Sequence, residues 1–159
     1  MKEKTCCFSG HRPERLDEKQ IEHIKKALSI EIESAIRSGY EVFISGMARG
    51  FDMWAAQAVL AFKCIHPHIK LKCIIPCEEQ ADFWNTEDVR KYFFILGKCD
   101  EIITVAKHYT SDCMFKRNRY MADNSSFLIC AYDGTNKGGT AYTVKYANRM
   151  GVKIINIFT

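Results

Sequence analysis

Short runs of β-branched and aromatic residues alternate along this chain with longer segments whose apolar positions recur at helical spacing, the pattern of a parallel sheet covered by helices. The first strand is expected at Thr5 to Ser9. After the turn GHRPER, Ile21, Ile24, Leu28, Ile32, Ala35 and Ile36 share one helical face up to Ser38-Gly39, a helix stop. EVFIS forms a second strand ending at Ser45, and a second helix starts near Asp52, whose carboxylate suits the first free N–H groups, and ends before Pro67. LKCIIP, EIITVA, FLICAY and VKIINIF supply further strands, separated by helices over TEDVRKYFFILGKC and CMFKRNRYMADN and by one that the turn TNKGGT opens. FLICAY is apolar throughout, as a strand buried on both faces would be. Right-handed crossovers place every strand-to-helix turn along one edge of such a sheet, where ligands bind when the strand order reverses.

Composition narrows this picture. The 159 residues, 47% hydrophobic and 26% charged, suit one domain spanning 1–159, and neither a linker nor a low-complexity tract divides them. The N-terminus runs through charged residues straight into a strand, and no apolar stretch is long enough to span a bilayer, so a cytoplasmic protein with no membrane partner is expected. Eight cysteines fall on apolar or helical segments without CxxC or metal-type spacing, which reads as reduced core thiols and no metal site. The formal charge of +4 is too modest for a dedicated nucleic-acid binder. One local concentration, Lys116, Arg117 and Arg119 beside Phe115 and Tyr120, suits either a solvated helix face or a small anion.

Three turns carry the candidate chemistry: SGHR at Ser9, Gly10, His11 and Arg12; SGMARG from Ser45 through Gly46, Met47, Ala48 and Arg49 to Gly50; and GGT at Gly138, Gly139 and Thr140. Each follows a strand. Glycine permits positive φ and removes the side chain that would hold a ligand away, so consecutive N–H groups and a helix dipole can face one anion. Making a tight turn is reason enough for any one of these glycines, but three at strand ends point to phosphate. Neither Walker spacing nor GxGxxG is present, which argues against an ATPase or an ordinary hydride-transfer dehydrogenase.

SGMARGFDMWAAQAV resembles the phosphate-loop motif of the SLOG superfamily, which includes the DNA-processing protein A family and the LOG phosphoribohydrolases. FKRNRYMADNSSFLICAYD followed by GGTAYTV is similar to their second signature, and GHRP, MWAA and PCEEQADFW together most resemble the YpsA-like branch. The resemblance covers nearly the whole chain. It implies a single-domain, Rossmann-like three-layer α/β sandwich with a mostly parallel central sheet. Its Gly-rich loops would bind a nucleotide or nucleotide-derived ligand, with no other cofactor required. It also adds Gln80 and Trp84, through a QxxxW pattern, to the pocket lining. The dimers formed by the better-known relatives make a homodimer an expectation of the same kind.

LOG enzymes carry MxxRKxxM and PGGxGTxxE. Met114, Arg117 and Met121 fit the first pattern with Asn118 in the lysine position, and Gly139 and Thr140 fit the second with Thr143 where the glutamate belongs. Cleaving an N-glycosidic bond builds positive charge on ribose, which threonine cannot stabilise. Arg117 with Glu79 as a displaced carboxylate is the remaining catalytic candidate; an acidic helix start is the other reading of Glu78 and Glu79. Cys77, near a helix N-terminus, could carry a lowered pKa and pair with His11, or be structural. Asp52 reads as a helix cap or as a ligand to ribose hydroxyls. Phe83 is expected to pack beneath the loops, Arg49 to point outward, and Arg12 and Arg117 to hold phosphate. The leading reading is binding, by sensing or processing, of a nucleotide-type molecule. Two alternatives are a nucleoside-phosphate or NAD-type N-glycosidase and a single-stranded nucleic-acid module using Arg117 and Arg119. Low net charge and no visible aromatic stacking platform make nucleic acid the least expected partner.

Overall fold

The computed structural model describes residues 1–158. Six strands, β1 (Thr5–Gly10), β2 (Val42–Ser45), β3 (Lys70–Ile75), β4 (Glu101–Thr104), β5 (Phe127–Ala131) and β6 (Lys153–Asn156), form one sheet in the order β4-β3-β2-β1-β5-β6. Every pairing is parallel. The helices between them are α1 (Glu18–Arg37), α2 (Phe51–Lys63), α3 (Thr86–Lys98), α4 (Cys113–Asp123) and α5 (Gly139–Arg149). The fold is therefore α/β and Rossmann-like, as the alternation of strand and helix patterns predicts.

Strand alternation divides the core in two. Cys6, Phe8, Phe43, Leu71, Cys73, Phe127 and Ile129 point to the face covered by α1, α2 and α3, while Cys7, Ile44, Ile74, Leu128 and Cys130 point to the face under α4 and α5. β5 is buried along its whole length, which is why FLICA carries no polar alternation. The chain walks from β1 outward to β4 with its helices on one face; it then crosses to the other side of β1 for β5 and β6, which puts α4 and α5 on the opposite face. β1 and β5 are neighbours whose following loops run in opposite directions.

Local signals account for the helix ends. Asp17 and Gln20 form a reciprocal capping box at α1, and Asn85 accepts the Asp88 N–H at the start of α3. α2 starts at Gly50 with no side-chain cap: Asp52 folds back instead and accepts the Ala48 N–H at 3.3 Å, so it braces the preceding loop. Residues 77–84 are a run of turns rather than a helix start, so Glu78 and Glu79 do not serve a helix N-terminus. All eight cysteines are free thiols, six of them buried. Among the described residues no helix is long and apolar enough to cross a membrane.

Candidate functional site

A cavity of about 210 Å³ opens at the carboxyl ends of β1 and β5, where the strand order reverses. Its wall takes Ser9, Gly10, His11 and Arg12 from the end of β1, Ala48 and Asp52 from the loop into α2, Arg117 and Asn118 from α4, and Gly138, Gly139 and Thr140 from the start of α5. Three separated turns thus meet at one place. Phe8 and Arg15 complete the wall.

The α5 turn offers the anion-facing geometry. Gly138 holds φ 102° and ψ 173°, and no side chain caps the helix it opens, so the first-turn amides and the positive end of the dipole face the cavity region. Thr143 lies one turn on, buried, its hydroxyl donating to the Gly139 carbonyl at 2.8 Å. It serves its own helix.

The SGMARG turn behaves otherwise, and corrects the expectation that its amides stand bare for phosphate. Met47 N–H donates to Ser45 Oγ at 3.2 Å, Ala48 N–H to Asp52, and Ser45 Oγ donates to the Asp52 carbonyl at 2.8 Å. Ser45, Gly46 and Met47 are buried beneath the cavity, with Met47 at a left-handed φ of 59°, and Gly50 packs against Pro13 outside it. What this turn holds is Arg117. The guanidinium, only 3% exposed, donates from Nη1 to the Gly46 carbonyl and to Gln80 Oε1 at 3.4 Å, and from Nε to Asn118 Oδ1 at 2.8 Å. Gln80 in turn donates to the Gly46 carbonyl at 3.3 Å and to the Tyr92 hydroxyl at 3.4 Å, so it positions Arg117 from below and does not line the cavity.

Asp52 and Arg117 share this enclosed space. Burial raises the Asp52 carboxyl above its usual value, opposed first by Arg117 and then by Arg12; burial likewise pulls the Arg117 guanidinium down, opposed by Asp52. Among the described residues the Arg12 carbonyl accepts the Arg15 N–H at 3.1 Å but its guanidinium has no hydrogen bond or ion pair, and it also borders a second, more open groove of about 410 Å³ lined by Arg49, Phe83, Trp84 and Asn85. Arg49 pairs with Glu14 at 2.6 Å and faces this groove, away from the cavity. Trp84 stacks edge-on against Tyr92 at 5.1 Å and lines the groove but not the cavity. Phe83, expected beneath the loops, is 99% exposed: of its turn, the neighbouring Trp84 is the ring that packs on α3.

Two further expectations change. Glu79 lies outside the cavity: its Oε1 is 2.8 Å from His108 Nδ1 and its Oε2 accepts the Tyr109 N–H at 3.2 Å, and the His108 contact lowers its pKa. The carboxylate that does reach Arg117's surroundings is Asp52. Cys77 is buried, and burial pushes its thiol up, the reverse of an activated nucleophile. His11 Nε2 accepts the Asp133 N–H at 3.1 Å and lies 3.1 Å from Asp133 Oδ1, a contact that becomes an ion pair only on protonation of the ring; the dyad with Cys77 does not form. Burial lowers the His11 pKa, against the pull of Asp133. Asp133 was missed in the sequence, although a carboxylate directly after the β5 run is a visible strand-end signal. Its Oδ2 also takes Arg15 Nη2 at 2.8 Å.

An open parallel sheet with a small polar cavity at its order reversal defines a Rossmann-like protein of the kind that seats ligands beyond its strand ends. The chain belongs to the YspA SLOG family: the family's sequence model, YpsA, matches residues 6–156. It is 31% identical over 156 residues to the UPF0398 proteins of Bacillus thuringiensis strain Al Hakam and Bacillus cereus strain AH187, covering 93% of this chain and 84% of each relative. Among solved structures, DNA processing protein A from Helicobacter pylori, a protein that binds single-stranded DNA, matches with a TM-score of 0.62 at 17% identity. That match covers 94% of this chain but 63% of the other, less than two thirds of its length, and it shows the fold alone.

Proposed function

We propose that this protein binds a small nucleotide-type ligand, its phosphate at the α5 N-terminus between Arg12 and Arg117, its ribose beside Asp52 and its base towards the Trp84 groove. The observation that carries this reading is Arg12. A guanidinium without a protein partner borders both the enclosed cavity and the open groove, so a ligand with an anionic end and a planar end could occupy the two at once. The cavity by itself suits a phosphate and part of a sugar; the base needs the groove. Asp52, its carboxylate raised by burial, suits hydrogen bonds to ribose hydroxyls.

A thermal-shift panel of AMP, ADP, NAD and ADP-ribose tests it. At about a hundredfold excess over Kd a bound ligand adds about 2.7 kcal/mol of stability. The shift should vanish in Arg12→Ala, weaken in Asp52→Asn and persist in Glu79→Gln, whose carboxylate lies outside the cavity. A panel in which nothing shifts the wild-type protein, or in which Glu79→Gln loses the shift while Arg12→Ala keeps it, would end this reading. Chromatography of the same mixtures separates binding from turnover, because released free base requires a reaction.

A further inference from the structure

The outer face of α4 and α5 carries a feature that the cavity does not use. Phe115 on α4 and Tyr142 on α5 have ring centroids 4.6 Å apart, and Tyr146, one turn further along α5, lies nearly parallel to Tyr142 at 6.3 Å and 9°. The Tyr142 and Tyr146 rings are half-buried and Phe115 is 41% exposed. This run is an aromatic cluster where the sequence showed no obvious stacking platform. Sequence spacing hid it because its members sit on two helices that only the fold brings side by side.

Cations flank the rings. Arg149 lies over Tyr146, its guanidinium carbon 5.7 Å from the ring centroid, and Lys145, Asn148 and Arg149 with Tyr142 line a shallow open depression of about 510 Å³. Arg119 stands one helical turn from Phe115, exposed. Among the described residues Arg119, Lys145 and Arg149 have no ion pair. α5 holds no carboxylate; on the α4 side Asp112 is offset by Lys116 at 3.4 Å, and Asp123, which accepts the Tyr146 hydroxyl at 2.7 Å, is the one carboxylate left at the edge of the ring cluster without an ion pair among the described residues.

We propose that this face binds single-stranded nucleic acid, with bases stacking along Phe115, Tyr142 and Tyr146 and the backbone phosphates meeting Arg119, Lys145 and Arg149. The occupant follows from charge and shape together. Aromatic faces accept any base, and cations without carboxylate partners favour a polyanion, whereas a second copy of this chain would set these cations against themselves across a twofold axis. A single strand supplies both unstacked bases and closely spaced phosphates, which a duplex does not. The site is separate from the phosphate cavity, so it stands or falls independently of the nucleotide reading.

Fluorescence anisotropy with labelled oligothymidylate and oligouridylate of about 20 nucleotides tests it, a length above the site sizes usual for such surfaces. Binding should weaken steeply between about 50 and 200 mM salt. Arg119→Glu/Lys145→Glu/Arg149→Glu, all exposed positions, should stay folded, with a Tm lowered only slightly because Arg149 leaves the α5 C-terminus and the Tyr146 ring, while losing at least about tenfold in affinity and about 2 from the log–log salt slope, given about 0.7 per phosphate contact. An abasic strand of equal length should bind more weakly than either oligonucleotide, and the preference between the DNA and RNA probes assigns the strand type. The proposal is overturned by no binding at low salt, by binding unchanged in the triple variant, by an abasic strand that binds equally, or by loss of binding in Arg12→Ala instead. Self-association in sedimentation that the triple variant abolishes would hand the face to a second copy and overturn it as well.

Discussion

The guanidinium of Arg117 lies against the bare face of Gly46: a Cβ built there would stand 2.6 Å from Nη1 and 2.8 Å from Cζ. The glycine of the second turn is therefore needed to seat a cation rather than to expose amides. Gly46→Ala should unseat Arg117 from the Gly46 carbonyl and from Gln80, costing roughly 1–3 kcal/mol as an overpacked core position does. Nucleotide-induced stabilisation should fall with it. A double-mutant cycle of Gly46→Ala with Arg117→Ala, read by urea denaturation, should give a coupling of roughly 0.5–3 kcal/mol. Strict additivity would mean the contact has no energetic content.

Gly138 makes a second, cleaner case. Its φ of 102° with ψ of 173° is a backbone region that residues with a side chain rarely enter, yet a Cβ there meets nothing within 4 Å. Gly138→Ala should thus cost roughly 1–3 kcal/mol from backbone strain alone. Gly134, at φ 88° and with equally open surroundings, is the matched control outside the cavity wall. Both variants should lose stability, and only Gly138→Ala should also weaken the thermal shift with nucleotides. Equal retention of the shift in both would remove α5 from the proposed site.

The cavity also makes stability depend on pH in a defined direction. The folded His11 has a pKa below its ordinary 6.5, so on acidification the unfolded chain takes up a proton that the folded one resists, and stability falls as pH drops from about 6.5 towards the lowered value. Asp133 adds a second loss further down. Burial alone would raise its carboxyl, but the Thr135 N–H and hydroxyl, with His11 and Arg15, hold it at about 2. Its contribution is complete above 3.8 and lost between there and about 2. Asp52, raised by burial, works the other way: it favours the folded state as pH falls from its raised value to 3.8, so it offsets part of the His11 loss and leaves the Asp133 fall below 3.8 untouched. Denaturation midpoints across pH should show His11→Gln flattening the first fall, while Asp133→Asn flattens the second and deepens the first, because the carboxylate that pulls the His11 pKa up is gone. Superimposable profiles for wild type and His11→Gln would mean that the imidazole is not held neutral.

The order of strands and helices, their approximate ends and the burial of β5 were all legible in the chain itself. Hydrophobic periodicity and capping residues are local, and each helix or strand buries its own apolar face whatever its neighbours are. The strand-end rule likewise pointed to Ser9, Gly10, His11, Arg12 and the Gly138-Gly139-Thr140 turn, since in a parallel sheet those ends must share one edge, whereas Arg117, inside α4, was indicated only by its basic cluster and the MxxR resemblance. What each residue does there was decided only by packing. Gly46 looked like a phosphate-facing glycine and is the seat of Arg117; Gln80 looked like lining and is a brace; Glu79 is drawn off by His108, leaving Asp52 as the buried carboxylate. Such partnerships join residues dozens of positions apart, across helices and strands whose separations no local pattern encodes. The Phe115–Tyr142–Tyr146 run is the same lesson on the surface: propensity places each ring on its helix, but the packing of α4 against α5 makes them one face.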